Sequence, residues 1–168
     1  IQTALYRWMK AGHVIQLKKG IYSTRHFYER HSSDVDFPPA ISAILIPQSY
    51  VSLEFVLQRH AILSEITYPV TAITIKHARA IENTLGTYTY RNIKEILYTG
   101  FNFYEYMGIP FSQASLPKAL FDYLYLRPLS GVTLASNYNL SEDLRLNVEE
   151  FSVQDRNRFS GYVELSKS

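Results

Sequence analysis

The pattern of apolar and polar positions at the start of the chain predicts a helix followed by a β-hairpin. The apolar side chains of residues 1–11 recur at helical spacing: Ile1, Leu5, Trp8 and Met9. Gly12 stands where helices commonly end. Two short β-prone runs follow, residues 13–17 and 21–23, and the turn between them is Lys18-Lys19-Gly20. This order of helix, glycine, strand, basic turn and strand is typical of the second half of a winged helix-turn-helix.

Farther along the chain the pattern predicts several helices and a small sheet. Residues 24–37 are polar, and we expect a linker or a crossing loop there. Helical spacing predicts helices over five later segments: residues 40–46, 50–63, 116–127, 140–151 and 155–165. Ser49 and Ser115 are the expected N-caps of the second and third. A period of two predicts three strands of an antiparallel sheet, which Gly108-Ile109-Pro110 closes: residues 70–76, 86–93 and 100–107.

These elements predict an α+β fold in two parts. Residues 1–31 are expected to be the C-terminal part of a winged-helix DNA-binding domain. Residues 32–168 are expected to form a second domain, in which helices flank an antiparallel sheet. A chain of 168 residues is long enough to bury a core of its own.

Composition supports a folded protein and limits its chemistry. Hydrophobic residues make up 46% of the chain and charged residues 19%, which is typical of folded rather than disordered proteins. The absence of cysteine excludes disulfides and cysteine-ligated metals. No run of about 18 apolar residues occurs, so we expect no membrane-spanning helix and take a cytoplasmic location as the default.

The charge of the chain is unevenly distributed. Residues 1–31 carry six Lys and Arg residues against one acid, a net charge of +5, whereas the remaining 137 residues carry a net charge of −3. A basic end on a mildly acidic body is expected where one end meets a polyanion such as nucleic acid. A solvated basic surface gives the same signature, so both interpretations stay open on charge alone.

The predicted N-terminal helix has the two faces that a recognition helix needs, one for its own domain and one for the major groove. We expect DNA contacts from the polar side chains of this helix and hairpin: Gln2, Thr3, Tyr6, Arg7, Lys10, Lys18, Lys19 and Arg25. Arg7 and Lys10 suit guanine edges or phosphates, and Gln2 suits adenine. The hairpin lysines suit phosphates, although lysines also protect exposed strands from pairing with other chains. Trp8 is expected in the core.

Three segments stand out in this order: residues 18–22 (KKGIY), residues 46–54 (IPQSYVSLE) followed by LQRH at 57–60, and residues 114–126 (ASLPKALFDYLYL). They resemble the wing, the opening of the second domain and a later helix of the AbiEi-type antitoxins. The resemblance covers nearly the whole chain. It departs from the family in one respect, because the helices that precede the recognition helix in that family have no counterpart in the sequence.

The resemblance implies a transcriptional autoregulator, the antitoxin of a type IV toxin–antitoxin pair. In that family the N-terminal winged helix represses the operon, and the C-terminal domain is associated with antitoxicity. The implied partners are operator DNA and a nucleotidyltransferase-like toxin, which is contacted directly or opposed functionally. A second copy of the chain is a further candidate partner.

Two other function classes stay open. Tyrosine-rich predicted strands suit a protein-interaction module that contacts or antagonises the toxin without binding DNA. A phosphate-binding glycine loop, a His-Glu-x-x-His zinc motif and a Gly-x-Ser-x-Gly elbow are all missing from the sequence. We therefore expect no enzymatic activity, no cofactor and no metal site, while a catalytic set assembled from distant residues stays open.

Overall fold

The computed structural model describes residues 2–63, 69–127, 146–147, 149 and 151–168. The described helices are α1 (Gln2–Lys10), α2 (Arg25–His31), α3 (Phe37–Leu45), α4 (Leu53–Arg59), α5 (Leu116–Tyr125) and α6 (Val153–Ser166). The described strands are β1 (Val14–Lys18), β2 (Ile21–Thr24), β3 (Ser49–Val51), β4 (Val70–Thr74), β5 (Arg79–Asn83), β6 (Gly86–Asn92), β7 (Phe101–Tyr106) and β8 (Ile109–Ala114). A short 3₁₀ turn, Glu95–Leu97, precedes β7. The fold is therefore a mixed α+β fold, as the sequence predicts.

The strands form a two-stranded hairpin and a six-stranded sheet. Strands β1 and β2 pair antiparallel, and the larger sheet has the order β5-β6-β4-β3-β8-β7. The prediction of an antiparallel sheet was wrong in part, because β4 pairs with β6 and β3 pairs with β8 in parallel. The predicted strands correspond to β4, β6 and β7. Strand β5 lies at the edge of the sheet and pairs antiparallel with β6, and β6 therefore runs in the same direction as β4.

The N-terminal helix and hairpin are present where the sequence predicts them. Helix α1 is followed by Gly12 in the left-handed region, with φ of 78°, and the hairpin turn places Gly20 at φ of 82°. Glycine adopts this conformation without the steric cost of a side chain. The described residues contain this helix and hairpin but not a complete winged helix-turn-helix.

The expected linker over residues 24–37 was wrong in part, because helix α2 occupies half of it and only residues 32–36 connect α2 to α3. Thr24 caps α2 by accepting a hydrogen bond from the backbone N–H of Phe27 at 3.2 Å. The Phe27 ring lies 6.1 Å from the Phe37 ring at the start of α3. The aromatic contact from one side of α2 therefore attaches this otherwise polar helix to α3.

The expected helix over residues 50–63 was also displaced. Ser49 is not its N-cap but the first residue of the buried strand β3, and Ser52 occupies the N-cap position of the shorter helix α4. Tyr50 and Val51 are β-prone and fully surrounded by protein, so their burial in the centre of the sheet outweighs the helix signal that follows.

The C-terminal predictions hold in part. Helix α5 begins after Ser115 as expected, and α6 covers the predicted segment 155–165 with a capping box between Ser152 and Asp155. Helix α6 packs on α5, with the Phe159 ring 6.3 Å from that of Phe121. The predicted helix over residues 140–151 lies largely outside the described residues.

A polar contact ties the segment after α2 to the edge of the sheet. The Tyr106 hydroxyl donates a hydrogen bond to Asp34 Oδ2, and His31 Nδ1 lies 2.9 Å from the same oxygen. These hydrogen bonds lower the pKa of the Asp34 carboxyl. Burial and the contact with Asp34 raise the pKa of Tyr106 to about 12.

Within the described residues, none of the helices combines the length and the apolar surface needed to cross a lipid bilayer.

Candidate nucleic-acid interface

One side of helix α1 presents polar and cationic side chains to solvent. Thr3, Tyr6, Arg7 and Lys10 follow the i, i+3, i+4, i+7 spacing of a single helix face, and all four are exposed, Tyr6 by 65%. Within the described chain, no acid pairs with Arg7 or Lys10. Gln2 is the first residue of α1, and the structure describes only its backbone. The predicted contact face is thus a continuous stripe that is open to a ligand.

The prediction that Trp8 lies in the core was wrong, because its side chain is 55% exposed. Leu5 and Met9 on the same face are only half-buried. Helix α1 rests on β1 and has no other described element packed closely against it, so the described residues leave part of its apolar face uncovered.

The hairpin is anchored to the body by both apolar and polar contacts. Ile15 and Leu17 are buried in the same core as the sheet. The Asn83 side chain at the end of β5 donates a hydrogen bond to the carbonyl of Leu17 at 3.1 Å. The hairpin, and α1 with it, is therefore carried by a rigid element rather than by a loose arm.

The two hairpin lysines have different surroundings. Lys19 lies exposed at the turn, next to Gly20. Lys18 is half-buried, and its ammonium donates a hydrogen bond to the carbonyl of Leu45 at 2.9 Å. Leu45 is the last residue of α3, where a cation is favoured by the partial negative charge of the helix end. Lys18 thus fastens the hairpin to α3, and Lys19 is the lysine that faces outward.

Arg25 connects the start of α2 to the end of α1. Its Nε donates a hydrogen bond to the carbonyl of Gly12 at 2.6 Å, while the residue as a whole stays exposed. A guanidinium has five N–H groups, so this bond leaves others for a phosphate. Arg25 therefore fixes the turn between α1 and the hairpin and still presents charge at the surface.

A second basic surface was missed by the sequence interpretation. Lys76, His77 and Arg79 lie in and after the loop between β4 and β5, and they line an open cleft of about 510 Å³ with Asn92. Arg79 donates to the carbonyl of His77 at 3.3 Å, and Asn92 donates to the carbonyl of Lys76 at 2.9 Å. The signal in the sequence is the run KHAR, in which three of four residues are basic or histidine.

This basic loop leads into β5, the edge strand whose other end is hydrogen-bonded to the hairpin. Strand β5 runs from Arg79 to Asn83, a distance of about 13 Å at the usual rise of a strand. Asn83 is bonded to the hairpin, so the loop is about 13 Å along β5 from the point where the hairpin docks. That separation is well under one turn of a DNA duplex, about 34 Å.

Two of the sequence segments singled out above, residues 46–54 and 114–126, meet in the core. Lys118 and Asp122 form an ion pair in which both side chains have 0% exposure. Tyr50 and Ser52 donate hydrogen bonds to Asp122 Oδ2 at 3.0 and 2.7 Å. Burial lowers the pKa of Lys118 and raises that of Asp122, while their mutual attraction opposes both shifts. This fully buried cluster holds β3, α4 and α5 together.

Within the part of the chain that the structure describes, no three His, Asp or Glu side chains come together in a way that suits a metal ion. Comparison with known proteins adds no identity, since no family model, curated protein or solved structure matches the chain.

Proposed function

We propose that this protein is an antitoxin-type transcriptional repressor that binds operator DNA through α1 and the hairpin. The observation that carries the proposal is the stripe of exposed polar side chains on α1, held on an anchored hairpin. The basic charge of the N-terminal residues and the resemblance to AbiEi-type antitoxins support it.

The dimensions of α1 suit the major groove. Its nine residues span about 13 Å, and the groove of B-form DNA is about 12 Å wide. The stripe from Thr3 to Lys10 rises by about 10 Å, the height of about three base pairs. Arg7 and Lys10 lie in the last turn of the helix, so they would reach the bases or phosphates at one end of that footprint.

Phosphate contacts would come from the cations around this helix. Lys19 at the hairpin turn and Arg25 beside α1 would flank the groove. The loop of Lys76, His77 and Arg79 would extend the contact along the backbone. Such contacts set the register of the protein on the duplex and strengthen binding without reading sequence.

Binding of labelled DNA from the promoter of its own operon tests this proposal, with a scrambled duplex as the reference. The double variant Arg7→Ala/Lys10→Ala should lose at least tenfold in operator affinity, since each phosphate or base contact contributes about 1 kcal/mol or more. The matched control is Arg158→Ala/Lys94→Ala, which removes the same two charges from exposed positions on α6 and before the 3₁₀ turn. Equal losses in the two double variants, or no preference for the promoter, would contradict the proposal.

A second candidate function, direct contact with a toxin, is favoured by the edge strand β7. This strand pairs only with β8 among the described strands, so one row of its backbone groups has no strand partner there. Phe103 is 82% exposed, and Tyr104 and Met107 are also exposed. An open edge with apolar side chains is suited to pairing with an extended segment of another protein.

Co-purification with a co-expressed nucleotidyltransferase-like toxin separates this candidate from DNA binding. The variant Phe103→Lys places a charge on the open edge and should reduce toxin recovery while operator binding stays as in the parent. The control Val35→Lys introduces the same side chain at another exposed apolar position. If neither the parent nor the variants retain the toxin, direct contact through β7 is excluded.

A further inference from the structure

Strand β7 is an edge of the six-stranded sheet that lacks the usual protection against pairing with other chains. Exposed edges are commonly protected by lysine, by proline, by a bulge or by a covering element. Residues 101–106 (FNFYEY) contain no lysine or proline, and their register with β8 is continuous. The other edge differs, because β5 has Arg79 and Glu82 at exposed positions and is bonded to the hairpin through Asn83. Of the two described edges, β7 is therefore the one that suits an added strand.

The hydrogen bonds between β7 and β8 show which backbone groups of β7 face the open side. The N–H of Ser115 donates to the carbonyl of Gly100 at 3.0 Å, and these two residues continue the register of the strand pair. In an antiparallel ladder every second pair is hydrogen-bonded, so the even-numbered residues of β7 bond to β8. The N–H and C=O groups of its odd-numbered residues therefore point away from β8. Pro110 agrees with this pattern, because it has no N–H and lies opposite Glu105.

The odd-numbered residues, Phe101, Phe103 and Glu105, also share one face of the strand, since side chains alternate along it. The ring of Phe103 is 82% exposed and lies 5.8 Å from that of Phe101, which stacks on the buried ring of Tyr50 at 4.7 Å. Glu105 is exposed, and no described cation forms an ion pair with its carboxylate. The open edge therefore offers an apolar position and, two residues later, an anionic one.

We propose that β7 accepts an extended segment of another protein as an additional antiparallel strand, and that this segment has a basic residue two positions before an apolar one. The partner runs in the opposite direction, so its basic side chain lies beside Glu105 and the following apolar side chain beside Phe103. Backbone hydrogen bonds supply affinity, and the two side-chain pairs set the register. The inference rests on the second candidate function, contact through β7, and states what such a partner presents.

A second copy of the chain fits this edge less well. Two β7 strands related by a two-fold axis pair odd-numbered residues with odd-numbered residues, so Glu105 lies opposite Phe101, Phe103 or its own copy. Each of these arrangements leaves the carboxylate without a cation, because β7 contains no basic residue. A different strand with a lysine or arginine at that position provides one.

Fluorescence anisotropy with short labelled peptides and the full chain tests the proposal without a toxin, so its outcome is separate from that of toxin recovery. The peptide Thr-Lys-Thr-Ile-Thr-Ile-Thr places its lysine opposite Glu105 and its isoleucines opposite Phe103 and Phe101, and its dissociation constant should lie below about 1 mM. Replacing its lysine by glutamate should weaken binding by about fivefold. In Glu105→Lys this preference should reverse, while Glu82→Lys, at an exposed position on β5, should keep the parental preference.

Methylation of the peptide backbone distinguishes an added strand from a purely apolar contact. N-methylation of the first isoleucine removes the N–H that donates to the carbonyl of Phe103, and it should weaken binding by about tenfold or more. The N–H of the threonine before it points away from β7, so its methylation should leave the affinity unchanged. Equal effects of the two methyl groups, no binding at about 1 mM, or equal affinities of the lysine and glutamate peptides would overturn the proposal. A dimer of the chain that Phe103→Lys converts to a monomer would overturn it as well, because the edge would then be occupied by a second copy.

Discussion

Removal of the Asp122 carboxylate should destabilise the protein more than any surface substitution. In Asp122→Ala, the Lys118 ammonium stays buried and loses its only described ion-pair partner. The hydroxyls of Tyr50 and Ser52 also lose their acceptor on that side chain. Three buried donors are therefore left without the group that satisfied them.

The expected loss follows from the burial of the pair. Removing one partner of a buried ion pair costs about 3–5 kcal/mol, because the remaining charge is left uncompensated. We expect about 4 kcal/mol, a large part of the total stability of a typical domain, about 5–15 kcal/mol. With a urea m-value of about 2 kcal/mol per M, the midpoint of unfolding should fall by about 2 M.

Urea unfolding followed by circular dichroism measures this effect. The control is Glu164→Ala, which breaks the Lys167–Glu164 pair at the surface, where both side chains are more than half exposed. Exposed pairs contribute only about 0–1 kcal/mol, so its midpoint should move little. The double variant Lys118→Met/Asp122→Asn removes the stranded charge and keeps an acceptor for the hydroxyls, and it should recover at least half of the loss. Equal midpoints for Asp122→Ala and Glu164→Ala, or no recovery in the double variant, would refute the reasoning.

Two further predictions concern backbone geometry and pH. Gly100→Ala should lower the free energy of unfolding more than Gly108→Ala. Both glycines have φ near 80°, so the backbone strain is similar in the two variants. A Cβ at Gly100 would lie 2.7 Å from Tyr162 Cζ, whereas a Cβ at Gly108 meets no atom within 4 Å. Urea midpoints that are equal for the two variants would contradict this. The pKa of Asp34 is lower in the folded protein than its ordinary value of 3.8, so ionised Asp34 stabilises the fold at pH values above 3.8. This stabilisation is lost as the pH falls through the pKa that Asp34 has in the folded protein. Asp34→Asn should therefore flatten the acid side of a plot of urea midpoint against pH, and an unchanged slope would contradict it.

The parts of the fold that the sequence predicts are those set by local patterns. Helix α1, the β1–β2 hairpin and helix α5 each have a complete signal within a dozen residues, namely an apolar period and a glycine, serine or proline at the boundary. Strand β8 also follows a local signal, the turn residues Met107 and Gly108, although the sequence predicts that the sheet ends there. Met107 and Gly108 both have positive φ and form the two-residue turn of a hairpin, so the chain continues into a strand where a closing loop was expected.

Other features depend on contacts that no local pattern contains. Ser49 begins a strand because β3 is enclosed between β4 and β8, which are distant in the chain. Lys18 differs from Lys19 only because the end of α3 lies beside it. In both cases the partner is more than twenty residues away, so the pattern around the residue gives no sign of it.

The candidate interface also combines features that follow from a local sequence pattern with features that depend on distant contacts. The polar stripe on α1 follows from helical spacing and could be predicted. The exposure of Trp8 could not, because it depends on what packs against the helix. The loop of Lys76, His77 and Arg79 is visible as a basic run, but its place on the edge strand next to the hairpin emerges only from the topology of the sheet.

The salt dependence of operator binding tests the central claim most directly. Fluorescence anisotropy gives the association constant of the parent and of Arg7→Ala/Lys10→Ala at several salt concentrations, and each lost phosphate contact lowers the slope of log K against log salt by about 0.9. We predict a steep slope for the parent and a slope smaller by about one to two for the double variant, with Arg158→Ala/Lys94→Ala matching the parent. Identical slopes for all three proteins would show that Arg7 and Lys10 neutralise no DNA phosphates, which would contradict the proposed interface.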